Sequence, residues 1–153
     1  KMAAGLTARA EMIPEAMERL GVLLAKQGAD RIGVADLRLD GTMMPGAAQV
    51  ELAEMIEQAG PFGAAAPGPR YAFADMQIFH AKRVGENHLK LSFGDMGGAR
   101  MDAICFGAYD GPLGPRLEQH GGARFHLAGR LDINTFRGRQ SVQLRLEDAA
   151  EAG

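Results

Sequence analysis

At 153 residues the chain has room for one well-cored domain, or for a small domain with an appendage, and a large multidomain enzyme is excluded. Hydrophobic residues at 46% and charged residues at 24% are globular proportions, so the disordered, collagen-like and supercharged classes drop out. The formal net charge is -2, but residues 1–60 hold 6 basic and 9 acidic side chains while residues 61–148 hold 11 and 9, a small basic excess in the C-terminal part.

No apolar run approaches the roughly 18 residues of a membrane span, and the first residues lack the basic-then-apolar layout of a signal peptide. The expectation is a cytoplasmic protein without a membrane partner. Cys105 is the single cysteine, which rules out an internal disulfide and reads as a small buried hydrophobe.

In chain order, Ile13, Met17, Leu20 and Leu24 stand at helical spacing, with Pro14 in the first turn and Gly28 as a stop, which predicts an amphipathic helix over Ile13–Gln27. Arg31–Leu39 alternates with a slip of parity near Ala35 and Asp36, the pattern of a bulged strand. Leu52, Met55, Ile56 and Ala59 define a second helix that ends at Gly60-Pro61. From Gly60 to Pro69 the composition collapses to Gly, Ala and Pro around Phe62, and this marks a boundary.

Beyond it the apolar period switches from 3.6 to 2, as in an all-β barrel or sandwich. Tyr71–Val84 is the first run, and Arg83–Asn87, holding Gly85, turns into the second. There Leu89, Leu91 and Phe93 face one way and His88, Lys90 and Ser92 the other. Arg100–Phe106 follows the Gly97-Gly98 turn with apolar residues on both parities, so its inner face stays open. Gly107–Gly122 breaks the pattern, and Leu113 with Leu117 suits a short helix. Phe125, Leu127, Leu131 and Ile133 then share a face, a turn spans Asn134–Gly138, and Val142, Leu144 and Leu146 share the face of a fifth strand. Three strands, a helical connection and two strands is the order of the OB fold, a five-stranded Greek-key barrel; an SH3-like barrel is the competitor.

Several stretches together resemble one family. Lys1–Thr7, Pro61-Phe62-Gly63 with Pro67-Gly68-Pro69, Val84-Gly85 with His88–Leu91, and Leu131–Asn134 with Gly138 and Ser141–Leu144 resemble, in order and spacing, the C-terminal region of the RecJ family. These are 5′-to-3′ single-strand-specific DNA exonucleases of the DHH phosphoesterase superfamily. The resemblance implies an α+β chain: the tail of a DHHA1 α/β domain with a linking helix over residues 1–60, an OB-fold nucleic-acid-binding domain over 61–148, and a tail over 149–153. It departs where the family commonly has Gly-Asn and this chain has Ala64-Ala65. The family's Gly-Gly-His and Asp-His-His motifs do not occur in these residues, so the resemblance implies a fragment that is itself inactive. The Mn²⁺ or Mg²⁺ ions it implies belong to the missing catalytic domain, with no cofactor in this part.

Rival chemistry finds no support in the residues. His80, His88, His120, His126 and Cys105 lack the close pairing of zinc ligands, Gly107–Gly114 lacks the Gly-Lys-Ser/Thr ending of a phosphate loop, and there is no Gly-x-Ser-x-Gly elbow. Asp36 with Asp40 and Asp95 with Asp102 read as turn and strand-end carboxylates, and Met43-Met44 as packing.

OB domains take ligands across their second and third strands, between the loops joining strands 1–2 and 4–5. The first loop is bordered by Lys82, Arg83 and His88, the second strand shows Lys90, and the other loop carries Phe136, Arg137 and Arg139. Cations follow phosphates and an aromatic face stacks on any base, which suits single-stranded DNA read without regard to sequence. The parent function implied by the resemblance is DNA recombination and repair. The alternative is a protein-interaction module that docks a repair partner such as single-stranded-DNA-binding protein, which an apolar groove or free sheet edge would favour.

Overall fold

The computed structural model describes residues 12–28, 36–63 and 67–153, and the chain divides into two compact units between Leu37 and Arg38. In the first unit the expected helix forms as α1 (Ile13–Gly28), with Glu15 in its first turn, where a carboxylate favours the helix dipole. Ile13 and Met17 of its apolar stripe are exposed. Of the strand expected over Arg31–Leu39, the part over Asp36–Leu39 is corrected, since these residues lie in no strand, and residues 31–35 fall outside the described residues. The slip of parity at Ala35-Asp36 leaves too short a period-2 run on its far side to form a strand. Lys1–Thr7 and Ala64-Ala65 also lie outside the described residues.

The second unit starts well before the Gly/Pro-rich stretch. β1 (Gly41–Thr42) pairs in parallel with the start of β2 (Tyr71–Val84). The Arg70 N–H donates to the Asp40 carboxylate at 2.8 Å, which fastens the two segments together. α2 (Val50–Gln58) buries Ala53, and Met43 packs on the barrel core. The sequence boundary at residue 61 therefore differs from the compact unit. Composition marks the end of a helix there, while pairing between distant residues carries the unit back to Arg38.

The barrel consists of β2, β3 (His88–Gly94), β4 (Arg100–Cys105), β5 (Arg124–Phe136) and β6 (Arg139–Glu151), with α3 (Leu113–Glu118) between β4 and β5. Its strand order is β2-β3-β4-β6-β5, closed by pairing of β2 with β5. β4 and β6 run parallel, and the other barrel pairs antiparallel. This is the OB arrangement, helix included. Residues 149–151, set apart as a tail by sequence, extend β6 against Leu127–Phe125.

β2 closes the barrel because it bends. Its first half pairs with β5 and its second half with β3, with irregularities between Phe73 and Met76 and between Ile78 and His80. At the first, Asp75 takes a left-handed φ of 59°. Its N–H donates to His126 Nδ1 at 3.0 Å and its carboxylate accepts from Arg124 Nε at 2.6 Å. The Arg124 hydrogen bond holds the Asp75 carboxyl below its ordinary value. On β5, a Cβ at Gly129 would run into the Arg145 carbonyl oxygen, so β6 can approach only a glycine there.

The core is the inner face of these strands. Phe73, Leu89, Leu91, Phe93, Phe125, Leu127 and Leu144 are fully buried, and Leu117 of α3 joins them. Phe73 and Phe93 meet edge to face at 5.5 Å, and each buried leucine contributes about 1.5–3 kcal/mol. The open parity of β4 is resolved: Met101, Ala103 and Cys105 point in, and Ile104 points out. Phe106, expected to end this strand, begins the turn after it. Among the described residues no helix is long and apolar enough to cross a membrane.

Candidate nucleic-acid interface

Outward positions on a sheet alternate with core positions, so strand register decides which distant side chains become neighbours. Lys82 on β2 pairs with Lys90 on β3, Lys90 with Ile104 on β4, Ile104 with Arg145 on β6, and Arg145 with Arg130 on β5. Four of these five outward residues are cations, and the row crosses every strand of the barrel. The next row holds His80, Ser92, Asp102, Gln143 and Asp132.

Charge along the first row is only partly neutralised. Lys90 Nζ lies 3.8 Å from Asp102 in an ion pair about half exposed on both sides, a geometry that contributes little. Arg130 Nη1 meets Glu147 at 2.8 Å, its Nε donates to the Gly68 carbonyl at 3.0 Å, and Arg70 takes the other carboxylate oxygen of Glu147. Among the described residues Lys82 and Arg145 stand in no ion pair.

Aromatic rings lie at both ends of this face. Below, the Arg100 guanidinium sits 4.4 Å from the centroid of Phe79, a partly exposed residue at the second β2 irregularity. Above, Phe106 is 52% exposed, with Arg145 over its ring at 5.1 Å and His88 edge-on at 5.1 Å. Between them a hollow of about 370 Å³ is lined by His80, Lys82, Lys90, Ser92 and Asp102.

Of the residues singled out by sequence, the fold brings Lys82 and Lys90 together at the centre of the face. Arg83 is turned away: its guanidinium donates to the Glu86 carbonyl and lies 4.3 Å from the Tyr109 centroid. His88 is half-buried, and its Nδ1 accepts the Gly107 N–H at 3.3 Å, so it braces the loop beneath Phe106. Phe136, Arg137 and Arg139 form the tip of the β5–β6 hairpin, at the opposite end of the barrel from the β2–β3 turn. The turn is tighter than the expected Asn134–Gly138 segment. Only Arg137 and Gly138, with φ of 50° and 77°, lie between the strands, as in a two-residue hairpin loop. Arg145, Arg130, Arg100, Phe79 and Phe106 lie on or beside the same face without having been singled out, and the outward parity of Arg130 and Arg145 was the signal available for two of them.

A closed five-stranded barrel with a helix between its third and fourth strands defines an OB-barrel domain. The RecJ OB domain family model matches residues 39–148. The chain belongs to that family. It is 30% identical over 148 residues to the single-stranded-DNA-specific exonuclease RecJ of Escherichia coli, covering 96% of this chain and 25% of that protein. It is 33% identical over 149 residues to the Dickeya dadantii protein of the same name, covering 95% and 25%. The crystal structure of RecJ with Mg²⁺ from Thermus thermophilus shares the fold, with a TM-score of 0.63 at 17% identity over 96% of this chain and 21% of that one. The chain spans about a quarter of the length of these relatives. Among the described residues no three His, Cys, Asp or Glu side chains cluster as metal ligands.

Proposed function

We infer that this chain is the strand-gripping module of a single-strand-specific DNA exonuclease working in recombination and repair, and that DNA lies across the outer face of β3 and β4. The observation that carries this reading is the register row Lys82, Lys90, Ile104, Arg145, Arg130. A row of cations at strand spacing, flanked by the rings of Phe79 and Phe106, gives phosphates a path and bases something flat to stack on. The relatives' name supplies the substrate class. Cleavage belongs to the longer parent in this reading, so the 153 residues alone bind a strand and leave it intact.

The test is a titration of fluorescent single-stranded oligonucleotide at several salt concentrations. Binding that weakens with salt at about 0.7 decades per decade of salt for each phosphate contacted is expected. Absence of binding at low salt defeats the reading.

A protein-docking role is favoured by a different observation. Ile56, Phe62, Pro67, Tyr71 and Leu131 line a mostly apolar hollow of about 360 Å³ between α2, the Pro67–Pro69 stretch and β5, with Glu57 and Arg130 also in its wall. A repair partner such as single-stranded-DNA-binding protein would bind there through apolar contacts. Its binding would depend less on salt than binding along the cationic row and be untouched by substitution of Lys82 or Lys90, neither of which lines the hollow.

A further inference from the structure

At the upper end of the cationic row, where β4 gives way to the loop before α3, the surface sinks into a recess of about 530 Å³. Small-molecule sites fall in the range of about 300–1,000 Å³. Its walls are Phe106, Gly107 and Gly111 on one side and Arg130, Arg145 and Glu147 on the other, and Cys105, Leu113 and Leu146 also line it. A half-exposed aromatic ring beside two arginines, in a recess of mixed polar and apolar lining, can bind a nucleotide: the ring stacks on a base and the guanidiniums meet its phosphate.

We propose that this recess takes one nucleotide turned out of the bound strand, with its base against Phe106 and its phosphate between Arg145 and Arg130. The proposal rests on the reading that single-stranded DNA follows the Lys82–Lys90 row.

Three features fit. First, Arg145 belongs both to the row and to the recess, so a backbone following the cations arrives at the opening. Second, the ring plane of Phe106 is set in advance. Arg145 lies over it and His88 meets it edge-on, while His88 is itself held by the Gly107 N–H. A platform already ordered loses little entropy when a base lands on it. Third, the carboxylate in the wall, Glu147, is bonded to both Arg70 and Arg130. The cluster keeps one net positive charge, to which Arg145 adds a second. Asp110, on the same loop, is engaged by the Asn87 side chain.

The recess would hold the base by stacking on Phe106, which every base can do. It therefore selects for the presence of a base and not for its identity. The other hollow on this face, of about 370 Å³, has no phenylalanine ring in its lining.

A labelled oligothymidylate of about 15 nucleotides, near the upper site size of one OB barrel, tests this when a single abasic residue is moved along it. The full 153-residue chain is expected to lose about tenfold in affinity when the abasic residue occupies one particular position, and little elsewhere. Phe106→Ala should bind every member of the series alike, at the level of the weakest wild-type complex. Phe106→Leu, which keeps bulk without a ring face, should do the same and guards against loss of the loop's packing. Arg145→Gln should flatten the salt dependence by about 0.7. If the oligonucleotide binds but the wild-type abasic series is flat, or if either Phe106 variant keeps the position dependence, the recess is not a nucleotide site and the open-face reading survives. If nothing binds, both fall together.

Discussion

Lys82 and Lys90 stand directly opposite each other on neighbouring strands, both exposed, and among the described residues only Lys90 of the two has a carboxylate within reach. Two like charges facing across a strand pair weaken a sheet slightly, and nothing in the barrel's packing needs either ammonium. Lys82→Ala and Lys90→Ala are therefore expected to leave urea stability unchanged or raise it by a few tenths of a kcal/mol. Each should make the salt dependence of single-strand binding shallower by about 0.7. Paired urea melts and oligonucleotide titrations check both halves; unchanged salt slopes in both variants would remove the lysines from the DNA path.

Asp102 gives the complementary prediction. Its carboxylate lies 3.8 Å from Lys90 Nζ on the same face, so a phosphate arriving at Lys90 meets a competing anion. Asp102→Asn should tighten single-strand binding severalfold at low salt, with the gain fading as salt rises. Stability should change by less than about 1 kcal/mol, since the pair is half exposed. Weaker binding in this variant would mean that Asp102 orients Lys90 and does not compete for it.

The barrel was legible in the sequence because most strands obey a strict period of two. Leu89, Leu91 and Phe93 are all buried, as their alternation predicts, and so are Phe125 and Leu127 on β5. β4 was not legible, because Ile104 puts an apolar residue on the outer face beside Lys90 and Arg145, and hydropathy alone cannot tell such a residue from core. The cationic row was half legible. Lys82 and Lys90 flank one turn, so their proximity follows from a hairpin. Arg145 comes beside Ile104 only through the parallel pairing of β4 with β6, a register no local pattern encodes. Phe106 looked like a strand end, and its exposure follows from the loop that turns away after Cys105. His88 and Arg83 border the β2–β3 turn, but their side chains are occupied by Gly107, Glu86 and Tyr109, contacts that depend on loop closure.

Cys105 yields a prediction about pH. It is buried on the inner face of β4, and burial raises the thiol's pKa above its ordinary 9.0 because the thiolate would lose its hydration. The folded value thus lies above the unfolded one. The associated stability is fully present below about pH 9 and is lost as pH rises from there through the folded value. Between pH 8 and pH 10 the wild-type chain should lose more stability in urea than Cys105→Ala does over the same interval. Equal losses would show that the thiol is solvated in the native state.

The hairpin tip separates a strand that stays on the central face from one that runs the length of the barrel. Arg145 and Arg139 are six residues apart on β6, which places the tip about 20 Å from the cationic row. A short oligonucleotide held on the row cannot reach it, whereas a longer one can. Phe136 is 66% exposed with Arg137 over its ring at 5.2 Å, so Phe136→Ala removes no core contact and should leave the melting temperature within a few degrees of wild type. Arg137 needs more care, because its φ is 50°. Arg137→Asn keeps a residue that tolerates the left-handed turn while removing the charge. With oligonucleotides just long enough to cover the central face, both variants should bind as the wild type does. With strands several nucleotides longer, Phe136→Ala should lose about 1–3 kcal/mol with little change in salt slope, and Arg137→Asn should flatten the slope by about 0.7. Insensitivity of both variants at every oligonucleotide length would confine DNA to the face around Lys82 and Lys90. The exposed ring of Phe136 would then be better explained as a contact for another protein than as a platform for a base.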